Sequence, residues 1–278
     1  MLTITPADTR KLIQSVRSDY NLDLSDIGFN LLRYRISQYL EKHLIKDAEN
    51  LITRLLEDET CMDEFLSGIS AGSSELFRDP GMWKNLRVQI IPQLFTAFRQ
   101  PVFWLPKSVS GHDAFSLLIL LTEEKFINQC QIYSSTSNFV DLKHLQAGTL
   151  EKNLMNLSRE NYLNAGGRKS LEEFFNRRSD NINPSLIRKI KFTRHNNMLN
   201  DSPEQAHLIM IRNQLLNYTQ PIKNHILDNL AEMIPAGGIL VLGVKELIED
   251  DRITRKFERP VADESIYRKV VTQRTGNQ

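Results

Sequence analysis

The sequence predicts an α/β protein, with a helical N-terminal domain assigned to residues 1–92 and a doubly wound α/β domain assigned to residues 93–278. Two observations support this. Up to about residue 90, apolar residues recur at spacings of three and four, which is typical of amphipathic helices. After residue 100, short apolar runs alternate with helical stretches, and this alternation favours a mostly parallel sheet covered by helices.

Five helical segments are predicted in the first part of the chain. In the first segment, Leu12, Val16 and Tyr20 fall near one face. A serine–aspartate capping signal at Ser25 opens the second segment, and the fifth is interrupted at Pro92 because proline lacks the backbone donor. The segments are, in order, residues 7–20, 25–44, 47–58, 61–70 and 81–95.

Six apolar runs are predicted to be strands, most of them buried on both faces as in parallel sheets. Helices are predicted between several of them, at Asp113–Glu124, Val140–Leu150 and Ile222–Met233. The runs are, in order, "PVFWLP", "QCQIYSS", "KIKFTRHN", "AHLIMIRN", "GGILVLGV" and "SIYRKVV".

Composition excludes several classes of function. A net charge of +1 gives no overall field for nucleic acid or a membrane surface, and the basic clusters near Arg177 and Arg188 are interpreted as solvated faces. Cys61 and Cys130 are far apart without a nearby histidine pattern, so neither a disulfide framework nor a metal site is expected. With no apolar signal segment and no apolar run longer than Leu117–Leu121, we predict a cytoplasmic protein without membrane insertion.

The stretch "WLPKSVSGHDAFSLLILL", residues 104–121, is the first candidate for a ligand site. It reads as a strand, a polar turn and an apolar helix, and ligands of open α/β sheets bind beyond the carboxyl ends of the strands. Nucleotide-binding turns of this kind are usually rich in glycine. Here the turn has one glycine, Gly111, and carries Lys107 where a small residue is expected.

Seven stretches resemble motifs of the CheR-type chemoreceptor methyltransferases, in the family order, from about residue 10 to residue 270. The resemblance implies a Rossmann-like methyltransferase domain with a small β-subdomain at about 172–193. It also implies S-adenosylmethionine as cofactor and a bacterial chemoreceptor or other signalling protein as partner, methylated on glutamate. The stretches are "SSELFRD", the loop quoted above, "IYSSTSNFVDLKHLQAG", "FTRHNNML", "IRNQLLNYTQP", "GGILVLGVKELI" and "IYRKV".

The resemblance also assigns roles to individual residues. Arg78 and Tyr218 are the catalytic candidates, because arginine binds carboxylates bidentately and the family has a tyrosine beside the reacting methyl group. The cofactor-binding candidates are Ser74, Arg78, Gly111, His112, Asp113, Thr136, Asn196, Asn197, Arg212 and Asn213.

The prediction of a weakened cofactor site rests on four departures from the family pattern. Gly72 replaces an asparagine, Lys107 a glycine, Thr136 the acidic residue that binds the ribose, and Asn217 the tyrosine, although Tyr218 follows directly. A neutral hydrogen bond in place of a charge-assisted one loses about 1–2 kcal/mol. A lysine ammonium pointing inward would also repel the cationic sulfonium. The joint losses predict a degenerate cofactor site.

Three functions are compatible with these residues. In the first, methyl transfer is strongly weakened or lost and a partner-binding role remains. In the second, the chain is an active protein-glutamate O-methyltransferase with an altered cofactor site, as the retained Ser74, Arg78, Asn196, Arg212 and Asn213 favour. The third is binding of a different, anionic metabolite, which Lys107 would favour. His112 and Asp113 are interpreted as the start of a helix, with Asp113 on its dipole, rather than as a catalytic pair.

Overall fold

The computed structural model describes residues 4–20, 22, 24–25, 27–70, 75–195 and 202–270. Its N-terminal part is helical, as predicted, and its helices pack around one apolar core. That core takes residues at four-residue spacing, among them Leu12 and Val16 of the first helix and Leu32, Ile36 and Leu40 of the second. The helices are α1 (Pro6–Tyr20), α2 (Phe29–Lys42), α3 (Ala48–Glu57) and α4 (Glu59–Ile69).

Helix α2 begins later than the capping signal at Ser25 predicts. Its N-cap is Gly28, which supplies no side-chain cap. The Gly28 amide donates instead to the carbonyl oxygen of Asn217 at 2.9 Å, and Ile27 forms an antiparallel bridge with Tyr218. Pairing with the α/β domain therefore keeps these residues extended, and the helix starts at Phe29.

The second part of the chain forms one sheet of seven strands in the order β3-β2-β1-β4-β5-β7-β6. Strands β1 to β5 are parallel, whereas β7 is antiparallel to both β5 and β6. The predicted Rossmann-like α/β fold is confirmed, and all six predicted strands are present. The strands are β1 (Val102–Leu105), β2 (Gln131–Thr136), β3 (Ile190–Arg194), β4 (Leu208–Ile211), β5 (Ile239–Leu242), β6 (Phe257–Glu258) and β7 (Ile266–Lys269).

Helices cover both faces of this sheet, and two apolar clusters fill the spaces between them. Every residue of β4 and β5 is buried, which explains why these strands are continuous apolar runs. The helices are α5 (Pro80–Asn85), α6 (Ile91–Ala97), α7 (His112–Glu123), α8 (Phe139–Ala147), α9 (Met155–Asn164), α10 (Pro184–Ile187), α11 (Gln220–Met233) and α12 (Asp251–Thr254).

The interruption predicted at Pro92 is absorbed without a break in the helix. A π-helical turn, Leu86–Ile90, joins α5 to α6, and the Ile91 amide donates to the carbonyl oxygen of Leu86. This wider turn just before Pro92 lets the chain continue past a residue that has no N–H to donate.

The chain passes from one apolar core to another before residue 92, where the sequence predicts the domain boundary. The core of α1–α4 ends at Ile69, whereas residues from Leu76 to Leu94 belong to the cluster on one face of the sheet. Residues 172–193, all of them described, contain a 3-10 turn, one antiparallel bridge between Phe175 and Ile182, helix α10 and the start of β3. They therefore hold a single bridge rather than a separate small sheet.

Candidate functional site

A cleft lies beyond the carboxyl ends of β1 and β4, where the strand order of the sheet reverses. This is the switch point at which open α/β sheets bind ligands. The turn after β1 supplies residues 107–113 to its lining, and the end of β4 supplies Met210 and residues 212–214. Arg78 and Leu105 complete the lining. This is the edge of the sheet at which the sequence predicts a ligand site.

Gly111 shapes the turn that precedes α7. Its φ of +75° lies in the left-handed region, and a Cβ at this position would come within 2.6 Å of Leu145 and 2.7 Å of Phe115. Both the backbone conformation and the available space therefore require glycine. Gly111 is also the N-cap of α7, and it supplies no side-chain hydrogen bond to the first turn.

His112 and Asp113 point in different directions from the first turn of α7. His112 is 4% exposed, and burial lowers its pKa to about 4, so its imidazole is neutral near pH 7. Its Nδ1 has no hydrogen-bond partner among the described residues. The Asp113 carboxylate instead accepts a hydrogen bond from Arg212 Nη1 at 2.6 Å.

Arg212 is a buried charged group of the cleft with several hydrogen-bond partners. Its side chain is 1% exposed. In addition to Asp113, its Nη2 donates to Asp79 Oδ2 at 2.5 Å and to the Arg78 carbonyl at 2.9 Å. One planar guanidinium therefore joins the end of β4, the start of α7 and the segment that carries Arg78.

The segment that carries Arg78 is held in an unusual backbone conformation. Its neighbours Phe77 and Asp79 have φ values of +54° and +59°, which residues with side chains rarely adopt. The Phe77 amide donates to Ser116 Oγ at 2.8 Å, and Asp79 is paired with Arg212. Contacts with α7 and β4 thus fix the backbone that presents Arg78 to the cleft.

Glu246 is a buried residue of the site to which the sequence analysis gave no role. It is 0% exposed, and its carboxylate accepts hydrogen bonds from the backbone amides of Asn213, Leu215, Leu216 and Gly243 at 2.7–3.2 Å. It therefore ties the loop after β4 to the loop after β5. The signal that could have revealed it is the glutamate within the stretch "GGILVLGVKELI".

Lys107 points toward Tyr218. Its Nζ donates to the Tyr218 hydroxyl at 2.6 Å and lies 4.7 Å from the centre of the tyrosine ring. The neighbouring Asn217 is paired with the N-terminal domain, since its Oδ1 accepts a hydrogen bond from Arg35 Nη2 at 2.8 Å. The Tyr218 hydroxyl contacts the cleft lining through Lys107.

Thr136 ends β2 as predicted, but it is only 1% exposed and is not part of the cleft lining. Its Oγ1 lies 3.5 Å from a carboxylate oxygen of the buried Asp141, whose other contacts are Ser67 and Asn138. Burial raises the pKa of Asp141. The acidic residue near the end of β2 is therefore Asp141, which lies in α8 and accepts hydrogen bonds from Ser67 and Asn138.

The structure brings six of the predicted site residues together in the cleft lining. Tyr218 contacts that lining through Lys107, and Thr136 lies behind it. Ser74, Asn196 and Asn197 lie outside the described residues. The six are Arg78, Gly111, His112, Asp113, Arg212 and Asn213.

Comparison with known families decides what kind of cleft this is. The family model described as "CheR methyltransferase, SAM binding domain" matches residues 72–262, which include the whole cleft. The chain belongs to the CheR methyltransferase family. The cofactor of this family is S-adenosylmethionine, and the family acts in bacterial chemotaxis.

Relatives match this chain over most of its length. A Pseudomonas putida protein named as methyltransferase Cher3 is 26% identical over 267 residues, covering 95% of this chain and 97% of its own. A chemotaxis protein methyltransferase of Listeria innocua is 27% identical over 237 residues, covering 84% of this chain and 87% of its own. Chemotaxis protein methyltransferase 1 of Vibrio cholerae is 22% identical over 265 residues, covering 92% of this chain and 94% of its own.

Solved structures are more distant. The N-methyltransferase NodS of Bradyrhizobium japonicum, in complex with S-adenosyl-L-homocysteine, is 13% identical, with a TM-score of 0.33. The match covers 69% of the CheR chain and 90% of NodS.

The backbone of the cleft is compatible with S-adenosylmethionine, the cofactor of the family. Gly111 keeps the turn before α7 free of a side chain, and Arg212 and Glu246 hold the surrounding loops. Lys107 also lines the cleft, and its Nζ donates to the Tyr218 hydroxyl.

Two further properties concern the part of the chain that the structure describes. No helix within it has the length and apolar character needed to cross a membrane. It also contains no group of three or more histidine, cysteine, aspartate or glutamate side chains arranged to hold a metal ion.

Proposed function

We propose that this CheR-family protein binds S-adenosylmethionine weakly, transfers methyl groups slowly or not at all, and acts in chemotaxis signalling by binding a chemoreceptor or another signalling protein. The observation that carries this proposal is the position of Lys107. Its Nζ is held 2.6 Å from the Tyr218 hydroxyl. Lys107 also lines the cleft that the family uses for its sulfonium cofactor.

The physical argument is electrostatic. At an effective dielectric constant of 20, two unit charges 4 Å apart repel by about 4 kcal/mol, and partial exposure to solvent reduces this. A remaining penalty of about 1.4 kcal/mol weakens binding about tenfold. S-Adenosylhomocysteine lacks the sulfonium charge and is otherwise nearly identical, so it is the matched probe for this effect.

Isothermal titration calorimetry with both ligands tests the cofactor half of the proposal. The parent protein is expected to bind S-adenosylhomocysteine about tenfold more tightly than S-adenosylmethionine, and Lys107→Met is expected to remove most of that difference. Lys46→Met, which removes an exposed charge from the N-terminal domain, is the matched control. Tight binding of S-adenosylmethionine by the parent, unaffected by Lys107→Met, would contradict the proposal.

The proposed binding of a chemoreceptor or another signalling protein requires a separate measurement. Fluorescence anisotropy with the cytoplasmic fragment of a chemoreceptor, in the absence of cofactor, is expected to show saturable binding to the parent protein. The same fragment, incubated with radiolabelled S-adenosylmethionine, is expected to be labelled faster by Lys107→Gly than by the parent. Absence of binding to receptor fragments would remove the support for a chemoreceptor partner.

The second candidate is an active protein-glutamate O-methyltransferase with an altered cofactor site. The observation that favours it is that Arg78 lines the cleft, on a backbone segment fixed by Ser116 and Arg212. A glutamate carboxylate is already ionised at neutral pH and needs no general base, so binding and orientation are the main requirements. The radiolabelling assay separates the two candidates, because the second predicts labelling by the parent at a rate that Lys107→Gly does not increase.

A further inference from the structure

A basic groove lies at the amino-terminal ends of β2 and β3, on the edge of the sheet opposite to the cleft. It has a volume of about 420 Å³, and three exposed cationic side chains line it, Arg188, Lys189 and Lys191. Within the part of the chain that the structure describes, no carboxylate lines the groove or lies within ion-pair distance of these cations. In a chain with a net charge of only +1, this is a local concentration of uncompensated positive charge.

The groove opens on the face of β2 and β3 that lies opposite to α8. Ile132 and Ile190 point toward α8, where they join the apolar cluster that contains Leu145. Because side chains alternate along a strand, Tyr133 and Lys191 lie on the other face, where they are partners in the register of β2 and β3. Lys191 Nζ lies 5.2 Å from the centre of the Tyr133 ring, so a cation–π contact holds the ammonium against the sheet.

Lys189 is also held by a neutral group. Its Nζ donates to the side-chain oxygen of Asn128 at 2.9 Å. An amide oxygen and an aromatic ring orient the two lysines without cancelling their charges. Cations that are already positioned lose less side-chain freedom when an anion binds to them.

The charge of the groove and its place in the sheet favour an acidic peptide segment as its occupant. A second copy of this chain would bring the same cations face to face, and like charges repel. β3 is the terminal strand of the sheet, so the backbone groups on its outer side are not paired with another described strand. An extended peptide can pair with both the N–H and the C=O groups of such an edge, whereas a phosphate group supplies acceptors only.

We propose that this groove docks an acidic, extended segment of the signalling partner, with its carboxylates on Arg188, Lys189 and Lys191. The groove and the cleft lie at opposite edges of the sheet, so a partner can bind whether or not the cleft is occupied. This inference rests on the proposed function in assigning a signalling partner to the chain, but it requires neither S-adenosylmethionine nor Lys107.

Fluorescence anisotropy with two labelled octapeptides tests the groove. One peptide alternates glutamate with threonine, and the other has glutamine in place of glutamate, so the two differ only in charge. The parent protein is expected to bind the glutamate peptide about tenfold more tightly than the glutamine peptide. In the double variant Lys189→Gln/Lys191→Gln that ratio is expected to fall to about twofold, because two of the three cations are gone.

The matched control is Lys46→Gln/Lys245→Gln, which removes two exposed lysines outside the groove and changes the net charge by the same amount. It is expected to keep the parent ratio. Equal binding of the two peptides by the parent, or an equal fall of the ratio in both double variants, would overturn the docking site. Tighter binding of a thymidine octanucleotide or of phosphatidylserine vesicles than of the glutamate peptide would also overturn it, since the groove would then belong to nucleic acid or to a membrane surface.

The same double variant distinguishes failure of this inference from failure of the proposed function. If a chemoreceptor fragment binds the parent and Lys189→Gln/Lys191→Gln equally well while the glutamate peptide does not bind, the proposed function stands and the groove is not the docking site. If the glutamate peptide binds with the expected ratio but receptor fragments do not bind, the groove stands and the chemoreceptor is not the partner.

Discussion

Arg212 and Asp113 form a 2.6 Å ion pair between Nη1 and Oδ1 that ties the end of β4 to the first turn of α7. The same guanidinium reaches Asp79 and the carbonyl of Arg78 through Nη2. Because the Arg212 side chain is only 1% exposed, water cannot replace these partners. The planar guanidinium of Arg212 therefore holds the end of β4, the first turn of α7 and the segment of Arg78 in position around the cleft.

Arg212→Lys is expected to lower the free energy of unfolding by about 2–3 kcal/mol, because a lysine ammonium cannot span both carboxylates and the carbonyl. Urea denaturation monitored by circular dichroism measures the change. The control is Arg252→Lys, in which the replaced side chain is 85% exposed and pairs with Asp250 at the surface. That control is expected to stay within about 0.5 kcal/mol of the parent, and equal losses in both variants would contradict the prediction.

Gly111→Ala and Gly237→Ala separate backbone strain from steric overlap. Both glycines have left-handed φ values, +75° and +83°, but the nearest atom to an added Cβ is 2.6 Å away at Gly111 and 4.0 Å away at Gly237. We expect a loss of about 1 kcal/mol in the free energy of unfolding for Gly237→Ala and about 3 kcal/mol for Gly111→Ala. Thermal and urea unfolding measure both. A loss at Gly111 no larger than at Gly237 would show that Leu145 and Phe115 move aside freely.

The buried imidazole of His112 should make stability depend on pH. Burial lowers its pKa from 6.5 to about 4 in the folded state, so the unfolded chain binds the proton more readily. The contribution of His112 to stability is therefore complete above pH 6.5 and is lost as pH falls from 6.5 toward about 4. The loss amounts to about 3 kcal/mol over that range.

Urea denaturation of the parent and of His112→Gln between pH 7 and pH 4.5 measures this dependence. Glutamine keeps a polar side chain but does not titrate, so the stability of this variant should fall less steeply with pH than that of the parent. Parallel curves for the two proteins would mean that the imidazole is as easily protonated in the folded state as in the unfolded chain.

The fold could be predicted from the sequence because its signals are local. The runs around Leu208–Ile211 and Ile239–Leu242 are buried on both faces, so they appear as unbroken apolar stretches. The misplaced features depend on distant partners. The start of α2 is set by pairing of Gly28 with Asn217, and strand β6 has only two residues, too few for a periodic pattern.

The cleft lies where the sequence predicts a ligand site, but the contacts between distant residues around it could not be predicted. The turn around Gly111 and the end of β4 at Arg212 could be placed at one edge of the sheet, because carboxyl ends of parallel strands meet there. The Lys107–Tyr218 hydrogen bond joins residues 111 positions apart, and the pairing of Arg35 with Asn217 crosses between two domains. Nothing in the spacing of a single sequence encodes such pairs.

The Arg35–Asn217 contact is expected to couple the helical domain to the loop that carries Tyr218. Arg35 donates to Asn217 Oδ1 at 2.8 Å and to the Ile69 carbonyl at 3.0 Å, and Asn217 is only 4% exposed. A double-mutant cycle of Arg35→Met and Asn217→Ala measures the coupling by urea denaturation. We expect a coupling free energy of about 1–2 kcal/mol, since a charged donor here meets a buried neutral acceptor.

The matched control for this cycle is the Lys11–Glu49 pair, which also joins two separate elements but has side chains that are 61% and 80% exposed. Its coupling free energy is expected to be below about 0.5 kcal/mol, because water and salt screen it. If the Arg35–Asn217 coupling were equally small, the contact would not link the two domains energetically. A large value would instead mean that the helical domain stabilises the loop that carries Tyr218, the hydrogen-bond acceptor of Lys107.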